Sequence, residues 1–141
     1  MSSKQIFYTT DESETRAIGR LIVASREKGA IVALSGPLGS GKSVVVKGMA
    51  EALQIDEAIV SPTFTLVQEY EGRVNLTHLD LYRIGSVEEF EGMGGEEMLY
   101  NPGFVAIEWA ERINAILPSG VVRLTIAINA DGRREISVEG L

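Results

Sequence analysis

Gly36-Pro37-Leu38-Gly39-Ser40-Gly41-Lys42-Ser43 fits the pattern G-x-x-x-x-G-K-[ST] at every fixed position. Each fixed position answers a chemical need. Glycines let consecutive backbone N–H groups turn inward on phosphate oxygens with no side chain in the way. The Lys42 ammonium can neutralise the β and γ oxygens of a triphosphate, and the Ser43 hydroxyl can ligate a magnesium ion. A helix opening at the end of the loop adds the partial positive charge of its N-terminus. The expected ligand is ATP with magnesium.

Such a loop needs a carboxylate to hold or orient the cation, usually at the end of an apolar strand. Glu108 ends the run Phe104-Val105-Ala106-Ile107, and Asp80 ends Asn75-Leu76-Thr77-His78-Leu79 in the same way. Either acid can be the direct ligand. Ser61-Pro62-Thr63-Phe64-Thr65 is rich in hydroxyls that could sense a γ-phosphate, although turn-forming residues alone would also explain it. His78 precedes Asp80 by two residues and so shares its strand face. One histidine cannot make a metal site, and it reads as an ordinary strand residue. Trp109, next to Glu108, reads first as core or interface material. Arg133 and Arg134 flank a hairpin turn and read as solvated charge, as do Glu88, Glu89 and Glu91 on the wet face of a helix.

The flanking residues predict the elements that position these groups. Residues 6–8 suit an edge strand. Asp11, three residues before Glu14, opens a helix carrying Ala17, Ile18, Leu21, Ile22 and Ala24, with Gly29 as its stop. Residues 30–34 form an apolar run of strand length, suited to burial on both faces. The glycine loop follows at once, and residues 43–53 read as the next helix. Residues 64–70 and 74–79 pair as a hairpin around Glu71-Gly72-Arg73. Ser86 starts a helix running towards Met93, which Gly94-Gly95 interrupts. Residues 104–107 form a strand, 109–117 a helix ending at Pro118, and 121–128 with 135–138 a hairpin turning at Asp131-Gly132. The predicted fold is α/β: a three-layer P-loop NTPase-like mixed sheet with helices on both faces, parallel near the loop. Strand order is not legible at this level.

The 141 residues suit one domain, spanning 1–141. Twenty acidic against 13 basic residues give a formal charge of −7. A surface of that sign repels nucleic-acid phosphates, so unaided binding to DNA or RNA is not expected. With no cysteine, disulfides, thiolate metal sites and thiol catalysis are excluded, which suits a cytoplasmic protein. No apolar run reaches the roughly 20 residues of a spanning helix, and the first residues lack the apolar stretch of a signal peptide. Neither a membrane nor export is expected.

Taken jointly, four segments resemble the TsaE family, the bacterial ATPases needed to make threonylcarbamoyladenosine in transfer RNA. They are residues 36–43, then Ser61-Pro62-Thr63-Phe64-Thr65-Leu66-Val67, then His78-Leu79-Asp80-Leu81-Tyr82-Arg83, then Ile107-Glu108-Trp109. The resemblance runs from about Asp11 to Arg134. It implies an ATPase acting in a complex with a carbamoyl-transferase-like subunit and that subunit's paralogue, which carry the tRNA. It also implies Lys42, Asp80 and Glu108 as catalytic residues, with Ser43, Glu108 and Asp80 at the magnesium. The nucleotide-binding set it implies is Asp11, Gly36, Pro37, Leu38, Gly39, Ser40, Gly41, Lys42, Ser43, Val44, Thr63, Thr65, Trp109 and Arg134. Thr63 and Thr65 would belong to a switch-like loop. Ser43-Val44 departs from the two threonines common in the family, and Lys47 stands where arginine is frequent. Gly94-Gly95-Glu96-Glu97-Met98 replaces a segment that usually ends in aromatics.

Three other functions compete. A small-molecule kinase is the main alternative, but it needs arginines on a lid, and none lies between residues 84 and 111. A GTPase would need an Asn-Lys-x-Asp segment, which is absent. A non-catalytic nucleotide-binding adaptor is the last alternative; the two intact candidate acids argue against it, although slow turnover would mimic it.

Overall fold

A computed structural model describes residues 4–60 and 66–141. Its elements run β1 (Lys4–Thr9), α1 (Glu12–Ser25), β2 (Ile31–Ser35), α2 (Lys42–Ala52), β3 (Val67–Tyr70) and β4 (Leu76–Asp80). There follow α3 (Val87–Gly92), α4 (Gly95–Met98), β5 (Phe104–Glu108), a 3₁₀ segment (Ala110–Ile116), β6 (Val122–Ile128) and β7 (Arg134–Glu139). The seven strands form one mixed sheet in the order β1-β7-β6-β2-β5-β4-β3. β2 pairs in parallel with both β5 and β6, and β4 pairs in parallel with β5. The outer pairings, β3–β4, β6–β7 and β1–β7, are antiparallel. The parallel centre and flanking hairpins agree with the sequence reading.

Two apolar layers cover the sheet, and strand alternation assigns residues to them. Val32 and Leu34 of β2, with Phe104 and Ala106 of β5, pack with Ile18 and Ile22 of α1 and Val45 and Met49 of α2. Ala33, Val105 and Ile107 face the other way, onto Phe90 of α3, Leu99, and Ala110 and Ile113 of the 3₁₀ segment. The three-layer expectation therefore holds over the parallel strands. It does not extend to the wing, where Arg123, Thr125 and Ala127 of β6 and Ile6 and Tyr8 of β1 are exposed.

Local signals explain most boundaries. Asp11 caps α1, its Oδ1 accepting the Glu14 N–H at 2.8 Å, and Glu12 and Glu14 complement the helix dipole. The helix ends at Ser25, short of the expected stop at Gly29. Gly29 serves a different purpose: its φ is +113°, and a Cβ there would lie 2.1 Å from the carbonyl of Gly103. Ser86 caps α3, accepting from the Glu89 N–H at 3.1 Å. The expected helix over 109–117 is instead a 3₁₀ segment broken at Ile113, whose φ is −125°. Trp109 enters it in a left-handed conformation and Leu117 leaves it extended before Pro118, where the proline disfavours a continued helix.

Candidate functional site

The site lies at the carboxyl edge of the parallel strands, where ligands of open α/β sheets bind. β2 feeds the glycine loop, while β4 and β5 end in Asp80 and Glu108, which are register partners on adjacent strands. α2 begins at Lys42 behind Gly41, which has φ +114° and offers no side-chain cap. The first N–H groups of the helix are therefore left for an anion.

A cleft of about 430 Å³ is lined by residues 37–44 together with Glu12, Asp80, Tyr82, Glu108 and Trp109. Lys42 is buried within it, and its Nζ donates to the carbonyls of Gly36 and Pro37. The same Nζ sits 4.1 Å from the centroid of the Trp109 ring. Burial pushes the Lys42 ammonium down from the ordinary lysine value, while Glu108, then Glu111 and Asp80, pull it back up.

The hydroxyl of Ser43 donates to Oε2 of Glu108 at 2.9 Å. That oxygen also lies 2.6 Å from Nε2 of His78. Lys42, His78, Asp80 and Glu108 are all at most 6% exposed, a charged and polar cluster sunk into an apolar frame. Asp80 accepts the Tyr82 N–H at 3.0 Å. The Tyr82 ring stacks at a tilt on Trp109, with 5.1 Å between centroids. Trp109 holds φ +61°, a left-handed conformation uncommon for a bulky residue and typical of sites under constraint.

The expected residues divide by position. Gly36 anchors the loop through its bond with Lys42; Pro37, Leu38, Gly39, Ser40, Gly41, Lys42, Ser43 and Val44 line the cleft with Asp80, Glu108 and Trp109. Asp11 and Arg134 border a smaller adjoining cavity of about 220 Å³ with Thr10, Glu12 and Thr15. Thr63 and Thr65 lie outside the described residues. Arg134 is not simply solvated: its guanidinium donates to the carbonyls of Ser40 at 3.0 Å, Gly39 at 3.2 Å and Gly132 at 2.7 Å. It clamps the glycine loop from behind. Arg133 stays at the surface, paired with Asp131 at 2.8 Å. Sequence reasoning missed Tyr82, Glu12 and the contact of His78 with Glu108. The face shared by His78 and Asp80 was the available signal for the last.

The fit of a cation can be judged from the donors. Among the described residues, no three His, Cys, Asp or Glu side chains gather as a metal cage. A hydroxyl and one or two carboxylates beside the glycine loop suit magnesium, which keeps waters and takes phosphate oxygens as further ligands. They do not suit zinc.

Strand, glycine loop, uncapped helix and strand-end acids together define a P-loop nucleotide-binding protein of the α/β class. The sequence model of the family "Threonylcarbamoyl adenosine biosynthesis protein TsaE" matches residues 9–136, and the chain belongs to that family. It is 46% identical over 121 residues to the tRNA threonylcarbamoyladenosine biosynthesis protein TsaE of Treponema pallidum, covering 86% of this chain and 87% of the relative. The protein of the same description from Bacillus subtilis is 38% identical over 130 residues, covering 92% and 81%. The crystal structure of Bacillus subtilis YdiB superposes with a TM-score of 0.80 at 31% identity, covering 99% of this chain and 87% of that one.

Proposed function

We propose that this chain, acting as a single domain, binds and hydrolyses ATP with magnesium to support threonylcarbamoyladenosine formation next to the tRNA anticodon. The observation that carries the reading is the bond between Ser43 and Glu108. It puts a hydroxyl and a carboxylate together at the mouth of a phosphate cradle that already holds a buried lysine. The backbone of residues 36–43 and Lys42 would bind the β and γ phosphates. Ser43 and Glu108 would hold magnesium, which when bound supplies charge neutralisation on those oxygens. Asp80 would act near the γ-phosphate, where water attacks phosphorus and ADP leaves. Asp11 and Arg134 border the adjoining cavity, which suits the rest of the nucleotide.

The protein works in a complex, with little turnover alone. A charge of −7 makes it a poor independent ligand for tRNA. The family name of its relatives nevertheless ties them to tRNA modification, so a transferase-like subunit and its paralogue would carry the nucleic acid. ATP hydrolysis measured for the protein alone, with those subunits, and with subunits plus tRNA tests this. The expected rates rise in that order; equal rates would reject the coupling.

A further inference from the structure

Beyond the residues assigned above, we propose that His78 is a positioning residue that fixes the Glu108 carboxylate for the cation. The inference rests on the reading of Glu108 as a magnesium-holding acid and adds to it the group that aims it.

The starting point is strand register. His78 lies opposite Ala106 on β5, while Glu108 lies opposite Asp80. His78 therefore meets Glu108 diagonally, one pleat back on the same face. A long ring can bridge that diagonal and a short side chain cannot. Ala106, the register partner, is small enough to leave the ring its path. His78 is fully buried, and nothing about packing alone calls for an imidazole beside Leu76, Phe104 and Ala106.

Hydrogen-bond chemistry then sets the direction. A carboxylate only accepts, so Nε2 donates to Oε2 across the 2.6 Å contact. Nδ1 is buried with no partner among the described residues, which a bare lone pair tolerates better than an N–H. The Nε2–H tautomer is the assignment that fits both nitrogens, with the ring donating to Glu108. Two donors, Ser43 Oγ and His78 Nε2, converge on Oε2. The carboxylate is held at one oxygen, and Glu108 lines the cleft. With its O–H committed to Glu108, Ser43 keeps its oxygen lone pairs for the cation. Outer partners of this kind orient metal-binding carboxylates.

The test uses manganese as a magnesium probe, read by electron paramagnetic resonance on the ADP complex. ADP affinity in EDTA is read by calorimetry. His78→Leu should weaken manganese binding about 10-fold or more, whereas His78→Gln, whose amide reaches the Nε2 position, should remain near wild type. Metal-free ADP affinity should be unchanged in both. Should His78→Leu fail to fold, Gln and Asn give the comparison, since both bury an amide and only Gln reaches Glu108. Equal manganese affinity in those two would overturn the proposal. So would wild-type manganese binding by a folded His78→Leu protein while Glu108→Ala loses it; the reading of Glu108 would then stand. Unchanged binding in Glu108→Ala would remove that reading and this inference together. Parallel losses of manganese and metal-free ADP binding would mark a general packing role and also overturn it.

Discussion

The Ser43 hydroxyl lies 2.9 Å from Oε2 of Glu108, tying the first turn of α2 to the last residue of β5 across 65 positions of chain. The glycine loop's helix and the strand-end acid are therefore linked, and on the proposed function cutting the link should separate binding from hydrolysis. Glu108→Ala should lower ATP hydrolysis by about 10–100-fold or more, while ADP affinity without magnesium falls little because the backbone cradle survives. It should also leave Nε2 of His78 buried without a partner, at a cost of about 1–3 kcal/mol in stability. Single-turnover hydrolysis with the partner subunits and a denaturant melt read the two effects. Wild-type turnover in this variant would remove Glu108 from the site.

Lys42 gives a pH dependence with a definite sign. Burial lowers its pKa from the ordinary 10.5 in the nucleotide-free fold. Triphosphate oxygens at Nζ would raise it again, so the proposed complex would bind protons more tightly than the free protein. ATP affinity should stay level below the free-state lysine pKa and decline as pH rises through it. The nucleotide-free fold behaves oppositely: its lysine pKa lies below that of the unfolded chain, so stability rises with pH across that interval. Calorimetry between about pH 7 and 10 in buffers of different ionisation enthalpy should show growing proton uptake. Lys42→Ala should bind far more weakly and show no such uptake; wild-type affinity in that variant would contradict the phosphate role.

Arg134 holds the loop through the carbonyls of Ser40 and Gly39 while bonding Gly132 in its own turn. A guanidinium fork can bridge these acceptors and an ammonium cannot. Arg134→Ala should cost about 1–3 kcal/mol in stability and weaken ADP binding with it. Arg134→Lys should recover little of either. Recovery by lysine in melts and calorimetry would reduce the clamp to simple charge.

What the sequence made legible follows a physical division. Residues 36–43 follow β2 as a local glycine-rich turn, so their spacing alone announces the loop. The positions of Asp80 and Glu108 at the cleft were legible because each closes an apolar run, and a parallel strand presents its last residue at the ligand edge. His78 is the strand residue expected, but its contact with Glu108 was not legible, because that partner sits on another strand and the diagonal contact depends on a register that no local pattern encodes. Arg134 reads as solvent-facing until the β6–β7 turn is folded behind the loop. The 3₁₀ segment misled for a related reason: apolar spacing marks a buried face and does not reveal that Trp109 enters left-handed. Strand order was unavailable because it depends on which strands cross over, and the wing left bare beyond β6 follows from that order.

The same limit hid Gly19 and Gly48, which support the final prediction. A Cβ on Gly48 would lie 1.9 Å from the Arg16 carbonyl oxygen, and one on Gly19 would lie 2.1 Å from that of Val45. Helices α1 and α2 thus meet backbone to backbone. This contact brings Asp11, Glu12 and Thr15 beside Gly41 and Val44, where they border the smaller cavity. Glycine to alanine within a helix ordinarily stabilises by about 0.5–1 kcal/mol. At Gly48 the sign should reverse, because the new methyl must push two helix backbones apart, at a cost of about 1–3 kcal/mol or more. Gly92, which closes α3, has nothing within 4 Å of a built Cβ, so Gly92→Ala should be neutral or mildly stabilising. Urea melts of both variants and the parent, followed by ADP calorimetry on each, make the comparison. Gly48→Ala should melt earlier and bind ADP more weakly, since the rim carrying Asp11 moves away from the loop. A Gly48→Ala protein as stable as Gly92→Ala would mean that the helices separate at no cost. The close approach would then not be what positions α1 against the nucleotide.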